Sequence, residues 1–187
     1  MRRILSPICL LATLAFASVA RADTIDNPNY KSWAGQKIGT VVTVNIVTES
    51  GSNKSDLMMA YTLVALTAEG ATVELVMTVK TAGMEIKTPA RKIENTKVVE
   101  LPPGRGKDYF EKPDGLVEQG TETVTVDGVS YKTKWMTTKA NAAGVEAEGK
   151  LWEADDVPNM TVKLESKVKI MGMLSTTTMT LVSVKKP

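Results

Sequence analysis

The eleven residues MTVKLESKVKI, from Met160 to Ile170, decide the fold of this chain. Apolar side chains fall at the even positions, with Ser166 as the exception, and every odd position is polar. A period of two is typical of a β-strand that buries one face and exposes the other to water. Such one-sided burial is characteristic of antiparallel sheets, so this stretch predicts an antiparallel β-protein.

The residues that follow predict a hairpin partner for this strand. A turn at Met171-Gly172 sets Leu164 opposite Met179 and Val162 opposite Leu181. The opposite face of the partner strand then carries three threonines, Thr176, Thr178 and Thr180. The turn chemistry and the apolar pattern agree on one register.

A second hairpin is predicted at Asp127-Gly128, a pair of residues that favours a tight two-residue turn. This turn sets Val126 opposite Val129 and Val124 opposite Tyr131.

A third hairpin is predicted at Ala68-Glu69-Gly70, read as a three-residue turn in which the glycine forms a bulge. It sets Leu63 opposite Leu75 and Tyr61 opposite Met77.

The register between strands 129–139 and 145–153 stays open at this stage. A four-residue loop ending at Gly144 places Lys150 opposite Trp135, whereas an odd loop or a bulge places an apolar residue there. The apolar pattern favours the second alternative.

The start of the chain after residue 22 predicts one short helix. Asn27-Pro28 offers an N-cap followed by proline at the first helical position, and Tyr30 and Trp33 lie three residues apart on one face. A glycine, Gly35 or Gly39, ends the helix. We expect its aromatic side chains to cover an end of the sheet.

Two segments rich in proline and glycine interrupt the strands. Pro89 marks an edge or a bulge in the strand that begins at Met84. Residues 102–115 form a long connection that divides the sheet into two groups of strands. Because this connection carries Tyr109 and Phe110, it is either a lid packed on the sheet or an ordinary surface loop.

Composition supports an all-β fold. Residues 23–187 contain 22 threonines and 20 valines, which are β-branched and favour strands. We predict a single domain with about eight or nine long, mostly antiparallel strands in a curved meander or open barrel, with one short N-terminal helix.

Residues 1–22 have the pattern of a signal peptide. Arg2 and Arg3 precede an apolar run, and Ala20 and Ala22 flank Arg21 at an expected cleavage site. The run is too short to span a membrane, and we expect no transmembrane segment after cleavage. The protein is therefore expected to be exported, to the periplasm or outside the cell.

Removal of this leader changes the charge of the protein. The whole chain has 23 Lys and Arg against 21 Asp and Glu, and without the three leader arginines the balance is 20 − 21 = −1. A near-neutral chain lacks the clustered cationic surface of a nucleic-acid binder.

The residue types present limit the chemistry that is open to the protein. The chain has no histidine, and its one cysteine, Cys9, lies in the leader. This excludes a Ser-His-Asp triad, a cysteine nucleophile and a histidine-ligated metal, and we expect no catalytic residues, no metal and no cofactor. The best remaining cluster is Glu153, Asp155 and Asp156, which we interpret as a solvated turn rather than an acid-base pair or a Ca²⁺ site.

Methionine is the residue type that suggests a ligand, because its polarisable side chain adapts to varied apolar partners. Core packing is the alternative explanation for these methionines. The candidate lining of a binding face consists of Met59, Tyr61, Met77, Tyr109, Phe110, Tyr131, Trp135, Leu164 and Met179.

The segment Trp152-Glu-Ala-Asp-Asp-Val-Pro158, followed by Val162-Lys163, resembles a late W-x-S-x-x-VP-x-x-x-VK motif of small secreted bacterial proteins that are mostly uncharacterised. This chain has Ala154 where the motif has serine. It has Asn159-Met160 where the motif usually has two glycines, which argues against a tight glycine turn after Pro158. By fold analogy the resemblance implies a curved sheet like those of periplasmic lipoprotein carriers.

These observations predict an exported, non-enzymatic β-protein that binds an apolar small molecule, a lipid or a lipidated protein on the concave face of its sheet. The alternative is a structural or protein-interaction module of the cell envelope with a fully packed core. A carboxylate-dependent hydrolase is the third hypothesis.

Overall fold

The computed structural model describes residues 23–81, 84–102 and 104–187, so the predicted signal peptide lies outside the described residues. The described chain contains one helix and twelve strands: β1 (Thr24–Asp26), α1 (Pro28–Ala34), β2 (Val41–Ser50), β3 (Asn53–Leu66), β4 (Gly70–Thr81), β5 (Met84–Lys87), β6 (Arg91–Thr96), β7 (Val98–Glu100), β8 (Leu116–Val126), β9 (Val129–Ala142), β10 (Val145–Glu153), β11 (Thr161–Ile170) and β12 (Met173–Lys185).

Ten of these strands form one antiparallel sheet in the order β5-β4-β3-β2-β12-β11-β10-β9-β8, with β6 also paired to β4. The sheet is curved and open, and strands make up 67% of the structure, which confirms the predicted fold class. Two hairpin meanders, β2 to β5 and β8 to β12, meet where β2 pairs with β12. Strands β1 and β7 form a separate pair.

The sheet buries one face beneath α1, and we call this the helix-side face. Residues that pair directly across an antiparallel ladder share a face, so Val42, Tyr61 and Leu75 lie together on it. The other face, which we call the opposite face, carries charged residues such as Lys163 and Glu165. The buried cluster consists of Trp33, Val42, Val44, Leu63, Ala71, Val73, Tyr131, Ala154, Val157, Val162 and Leu181.

The predicted helix is present. Asn27 is its N-cap and accepts a hydrogen bond from the backbone of Asn29, Pro28 begins it, and Gly35 caps its end. Trp33 is fully buried, and the Tyr30 hydroxyl donates to the carbonyl oxygen of Thr67 at 3.0 Å. Both aromatic side chains therefore hold the helix against the sheet.

Two of the three predicted hairpin registers are confirmed. Val126 pairs with Val129 across Asp127-Gly128, and Val124 pairs with Tyr131. Leu164 pairs with Met179 across Met171-Gly172. The backbone dihedral φ is positive at both residues of each turn, which is the conformation that tight hairpins require.

The predicted register of the β3–β4 hairpin is wrong by two residues. Leu63 pairs with Val73 and Tyr61 with Leu75. One residue of the difference arises at the turn, where Leu66 pairs with Ala71, and the other arises where the ladder shifts between Leu63 and Ala65 and leaves Val64 as an extra residue. The Thr67 hydroxyl oxygen shapes the turn by accepting from the backbone of Glu69 and Gly70. A shift of two residues keeps every side chain on its predicted face.

The open register between β9 and β10 is resolved by a two-residue turn at Ala143-Gly144, where φ is again positive at both positions. Trp135 therefore pairs with Trp152. The favoured odd loop or bulge is therefore wrong, because the turn is even and the ladder is unbroken, although Trp135 does have an apolar partner in Trp152. Lys150 pairs with Thr137 and so lies diagonally across the ladder from Trp135.

Residues 104–115 make their strongest contacts with one another. Arg105 forms an ion pair with Asp114, and its guanidinium lies 5.5 Å from the ring centroid of Tyr109. The rings of Tyr109 and Phe110 are 5.3 Å apart, and neither belongs to the buried cluster. These contacts favour the surface-loop alternative over the lid.

Pro89 separates β5 from β6, which both pair with β4, and so lies at an edge as predicted. Among the described helices, none is long and apolar enough to cross a membrane.

Candidate functional site

A pocket of about 240 Å³ lies on the helix-side face between α1, β6 and the sheet. Its floor is apolar and its rim carries amides and a hydroxyl. The lining residues are Asn29, Val44, Tyr61, Val73, Ile93, Asn95, Asn159, Thr161 and Met179. None of these side chains is charged at neutral pH, so the pocket suits an uncharged, partly apolar group.

The floor is built by alternation on five strands. Val44, Tyr61 and Val73 belong to β2, β3 and β4, Ile93 to β6 and Met179 to β12. Because alternate side chains of a strand share one face, the same pattern that buries the core also brings these apolar groups together.

Tyr61 is the one titratable side chain of the pocket. Its hydroxyl donates to the sulfur of Met59 at 3.7 Å, and burial raises its pKa above the ordinary value. A raised pKa keeps the phenol protonated at neutral pH. The pocket therefore offers no charged group to a ligand.

Asn159 joins the pocket rim to the helix. Its side-chain Oδ1 accepts from the indole Nε1 of Trp33 at 2.9 Å, and its backbone N–H donates to the Ser32 hydroxyl at 3.0 Å. Oδ1 uses one of its two lone pairs in the bond to Trp33, and the Nδ2 group supplies donors for a ligand.

The turn that carries Asn159 corrects an expectation from the sequence. Asn159 and Met160 both have positive φ, 65° and 62°. Asn159 and Met160 therefore adopt the left-handed backbone after Pro158 that the two glycines of the motif would adopt. Asparagine tolerates this conformation better than most residues, and hydrogen bonds from Met160 N to Val157 O and from Ala154 N to Met160 O hold the turn.

Five of the predicted lining residues lie on the helix-side face. Tyr61 and Met179 line the pocket, and Met59 packs against the buried cluster. Met77 pairs with Met59, and Leu164 pairs with Met179, so both lie on this face without lining the pocket.

The other four predicted lining residues lie elsewhere. Tyr131 and Trp135 lie on the same face of β9, which is the opposite face, and Tyr131 also belongs to the buried cluster. Tyr109 and Phe110 belong to the surface loop of residues 104–115. The sequence reasoning missed the three rim asparagines, because an asparagine in a strand or turn carries no periodic signal that marks it as part of a site.

A second cluster, on the opposite face, is built around Lys150. Its ammonium lies 4.2 Å from the ring centroid of Trp135 and 4.5 Å from that of Trp152. Glu122 accepts a hydrogen bond from the indole N–H of Trp152 and pairs with Lys150 at 3.5 Å. The lysine thus occupies the space between the two rings, which identifies a packing cluster rather than an open aromatic platform.

The charge of Glu122 is stabilised within this cluster. The Trp152 indole N–H lowers the pKa of the Glu122 carboxyl below its ordinary value, and the ammonium of Lys150 lowers it further. Gly120 lets Trp135 approach, because a Cβ at this position would lie 2.8 Å from the indole ring.

The three candidate carboxylates do not converge on a cleft. Asp155 is 75% exposed and pairs with Lys134 at 3.4 Å, and Asp156 is also exposed. Burial raises the pKa of Glu153, the charge of Asp155 adds to this, and Lys134 opposes it. None of the three lines the pocket. The described residues contain no cluster of three or more His, Cys, Asp or Glu side chains that could hold a metal ion.

No protein-family model matches the chain, and no curated protein matches its sequence. Several solved structures show partial similarity to this chain. A protein of Bacteroides fragilis, described provisionally as exported and with a YmcC-like fold, is 12% identical with a TM-score of 0.43 over 81% of this chain and 97% of its own.

A protein of Parabacteroides distasonis, described provisionally as a lipoprotein, is 10% identical with a TM-score of 0.45 over 80% of this chain and 96% of its own. A domain of Vibrio parahaemolyticus, described provisionally as an outer-membrane lipoprotein-sorting protein, is 6% identical with a TM-score of 0.27 over 83% of this chain and 88% of its own. The late tryptophan motif stays a prediction. Similarity at this level shows nothing about ligand or activity.

Proposed function

We propose that this chain is an exported, non-enzymatic β-protein that binds the apolar part of a small amphiphile in the pocket beside α1. The observation that carries the proposal is the composition of the pocket, in which an apolar floor is rimmed by Asn29, Asn95 and Asn159. Ligand sites in proteins are typically apolar clefts with a few polar groups that fix orientation.

The chemistry of the lining selects the head group of the ligand. A carboxylate or an ammonium buried here would meet no opposite charge and would pay a large desolvation cost. Amides and a hydroxyl instead complement an ester, an amide or a glycerol. We therefore propose an acyl chain with an uncharged hydrogen-bonding head, such as a monoacylglycerol.

The size of the pocket limits how much of the ligand is enclosed. Its volume of about 240 Å³ is below the roughly 300–1,000 Å³ of sites that enclose a drug-sized ligand. A short chain, or one end of a longer one, fits within it. The fully packed envelope module is the competing hypothesis, and the experiment below distinguishes the two.

Non-enzymatic function is supported by the groups available at the pocket. The tyrosine is held protonated, and the remaining polar groups are amides and a hydroxyl without a neighbouring base among the lining residues. Export is supported by the pattern of residues 1–22.

The proposal is tested with 1-decanoylglycerol as the probe, using native mass spectrometry and titration calorimetry. We expect a one-to-one complex, and we expect decanoate to bind at least about tenfold more weakly because its carboxylate stays unpaired. The variant Met179→Trp fills the pocket and should abolish binding.

Met77→Trp is the matched control, because Met77 lies on the same face without lining the pocket. It should bind as the wild type does, and circular dichroism establishes that both variants are folded. If the wild type forms no complex, or if Met179→Trp binds unchanged, the proposed site is wrong and the packed module is favoured.

A further inference from the structure

The turn between β11 and β12 carries an unusual concentration of exposed apolar side chains. Met171 is 93% exposed and Met173 is 71% exposed, and Ile170 and Leu174 are about half exposed. We call the segment Ile170–Leu174 the apolar tip. The neighbouring β9–β10 turn extends it with Ala142, Ala143 and Val145, because Val145 pairs with Ile170.

Apolar residues occupy both faces of this hairpin end. Ile170 pairs with Met173 on the helix-side face, and Leu174, paired with Lys169, lies on the opposite face. A strand that docked against a partner along one face would keep its other face polar. A tip with apolar side chains on both faces instead suits an apolar environment that contacts both faces at once.

The backbone of the turn does not call for methionine. Met171 has φ of 49°, a left-handed conformation that favours glycine, asparagine and aspartate. The turn at Asp127-Gly128, at the other end of the sheet, has the same φ of 49° at its first residue and places an aspartate there. Met171 is therefore present against both the backbone preference and the preference of exposed turns for polar residues.

Charged residues form a band directly behind the apolar tip. Lys169 pairs with Glu146 and Lys167 with Glu148, each at 3.5 Å. The apolar part extends two or three residues from the turn, which is about 7–10 Å at the rise of a strand. This length matches the roughly 5–10 Å to which interfacial segments enter the boundary between head groups and acyl chains.

We propose that the apolar tip inserts into the interfacial layer of a lipid bilayer. A second copy of this chain or another protein would need roughly 800 Å² per partner for a stable interface, which a single hairpin end does not provide. Insertion into lipid needs no matching pocket, and its strength scales with the apolar area buried.

The charge balance of the band indicates which lipid head groups the tip binds. The two β11 lysines behind the tip, Lys167 and Lys169, are each paired with a glutamate, so their attraction to anionic head groups contributes little. Binding should then occur on zwitterionic vesicles and should depend only weakly on salt. Along β12 the pocket residue Met179 is separated from Leu174 of the tip by five residues, about 17 Å at the rise of a strand, so insertion does not rest on the proposed ligand.

The experiment uses the full chain carrying Cys9→Ser, with one new cysteine labelled by an environment-sensitive NBD fluorophore. The test variant is Met171→Cys, and the matched control is Asp127→Cys in the turn of the same geometry at the other end. Each is titrated with phosphatidylcholine vesicles, with and without nitroxide-labelled lipid. A label at 171 reports insertion of the tip itself even where the leader also contacts the vesicle.

We expect a blue shift, a several-fold rise in emission and quenching by the nitroxide lipid at position 171, and none of these at position 127. The variant Leu174→Asn, with the label at 171, should weaken vesicle partitioning by about tenfold, as expected for removing one large apolar side chain from the bound surface.

Three outcomes would overturn the proposal. The first is an unchanged spectrum at 171 in the presence of vesicles. The second is an equal response at 127, which would indicate nonspecific adsorption. The third is a blue shift at 171 that depends on protein concentration without vesicles, which would identify a second copy of the chain as the occupant.

Discussion

The hydrogen bond between Trp33 and Asn159 offers the sharpest test of how the pocket is built. It joins α1 to the turn before β11, two segments 126 residues apart in sequence. Trp33→Phe removes the indole donor and leaves a smaller ring in a fully buried position. Asn159→Gly removes the acceptor while keeping a residue that tolerates the positive φ of this position.

The expected magnitudes follow from burial and hydrogen bonding. Truncating a buried tryptophan to alanine costs about 3–5 kcal/mol, and phenylalanine keeps much of the ring, so Trp33→Phe should cost about 1–3 kcal/mol. Asn159→Gly should cost about 1 kcal/mol, the net value of one hydrogen bond. Asn159→Ala should cost about 1–2 kcal/mol more, because alanine is strained at positive φ.

The double variant separates the hydrogen bond from the loss of volume. The free energy of unfolding is measured by urea titration, followed by circular dichroism and by the fluorescence of Trp135 and Trp152. If the bond is made, the two single costs should exceed the cost of the double variant by about 1 kcal/mol. A coupling energy within about 0.3–0.5 kcal/mol of zero would mean that the substitutions act independently and that this bond does not hold the helix to the pocket rim.

Three further predictions follow from the strands. Burial raises the pKa of Glu153 above its ordinary value of 4.5, so the folded state binds this proton more tightly than the unfolded state does. The contribution of Glu153 to stability therefore falls as pH rises above 4.5. In urea titrations, Glu153→Gln should gain stability relative to the wild type between pH 4 and pH 7, and a difference that does not change with pH would contradict the assigned burial. Gly120→Ala should cost about 1–3 kcal/mol, because its Cβ would lie 2.8 Å from the Trp135 ring, and thermal unfolding with a loss of near-ultraviolet tryptophan signal would show the displacement. Gly115→Ala should cost more than Gly120→Ala, because φ is +75° and the new Cβ would clash with the backbone oxygen of Lys139. Gly149→Ala is the control, because its Cβ would lie 3.4 Å from its nearest neighbour, and it should change stability by less than about 1 kcal/mol.

Local patterns accounted for what could be predicted of the fold. The helix from Pro28 followed from its cap and its first proline, and the turns at Asp127-Gly128 and Met171-Gly172 followed from residue pairs that accept positive φ. These features depend on residues close in sequence, so a single chain is enough to predict them.

The β3–β4 register shows where local reasoning failed. The turn moves the register by one residue and the extra residue at Val64 moves it by one more, and no local signal marked that extra residue. The β9–β10 register was likewise decided by a two-residue turn at Ala143-Gly144, although alanine is a poor indicator of positive φ.

The candidate site was predictable only in part. Tyr61 and Met179 could be found because the alternation of their strands assigns them to the buried face. Asn29, Asn95 and Asn159 could not, because they come from a helix, an edge strand and a turn that meet only after folding. Trp135 was assigned to the wrong surroundings for the same reason, since its face depends on the register of the following hairpin.

The sequence by itself determined that this chain forms antiparallel hairpins with one exposed and one buried face. Alternation with a period of two and the residues of tight turns are local signals that involve only a few neighbouring positions. The tertiary structure decided that β2 pairs with β12, that α1 covers one face, and that three asparagines surround an apolar pocket there. Those outcomes depend on the curvature of the whole sheet and on contacts between residues more than a hundred positions apart, such as Trp33 with Asn159. Such contacts form only when the complete sheet brings the two meanders together.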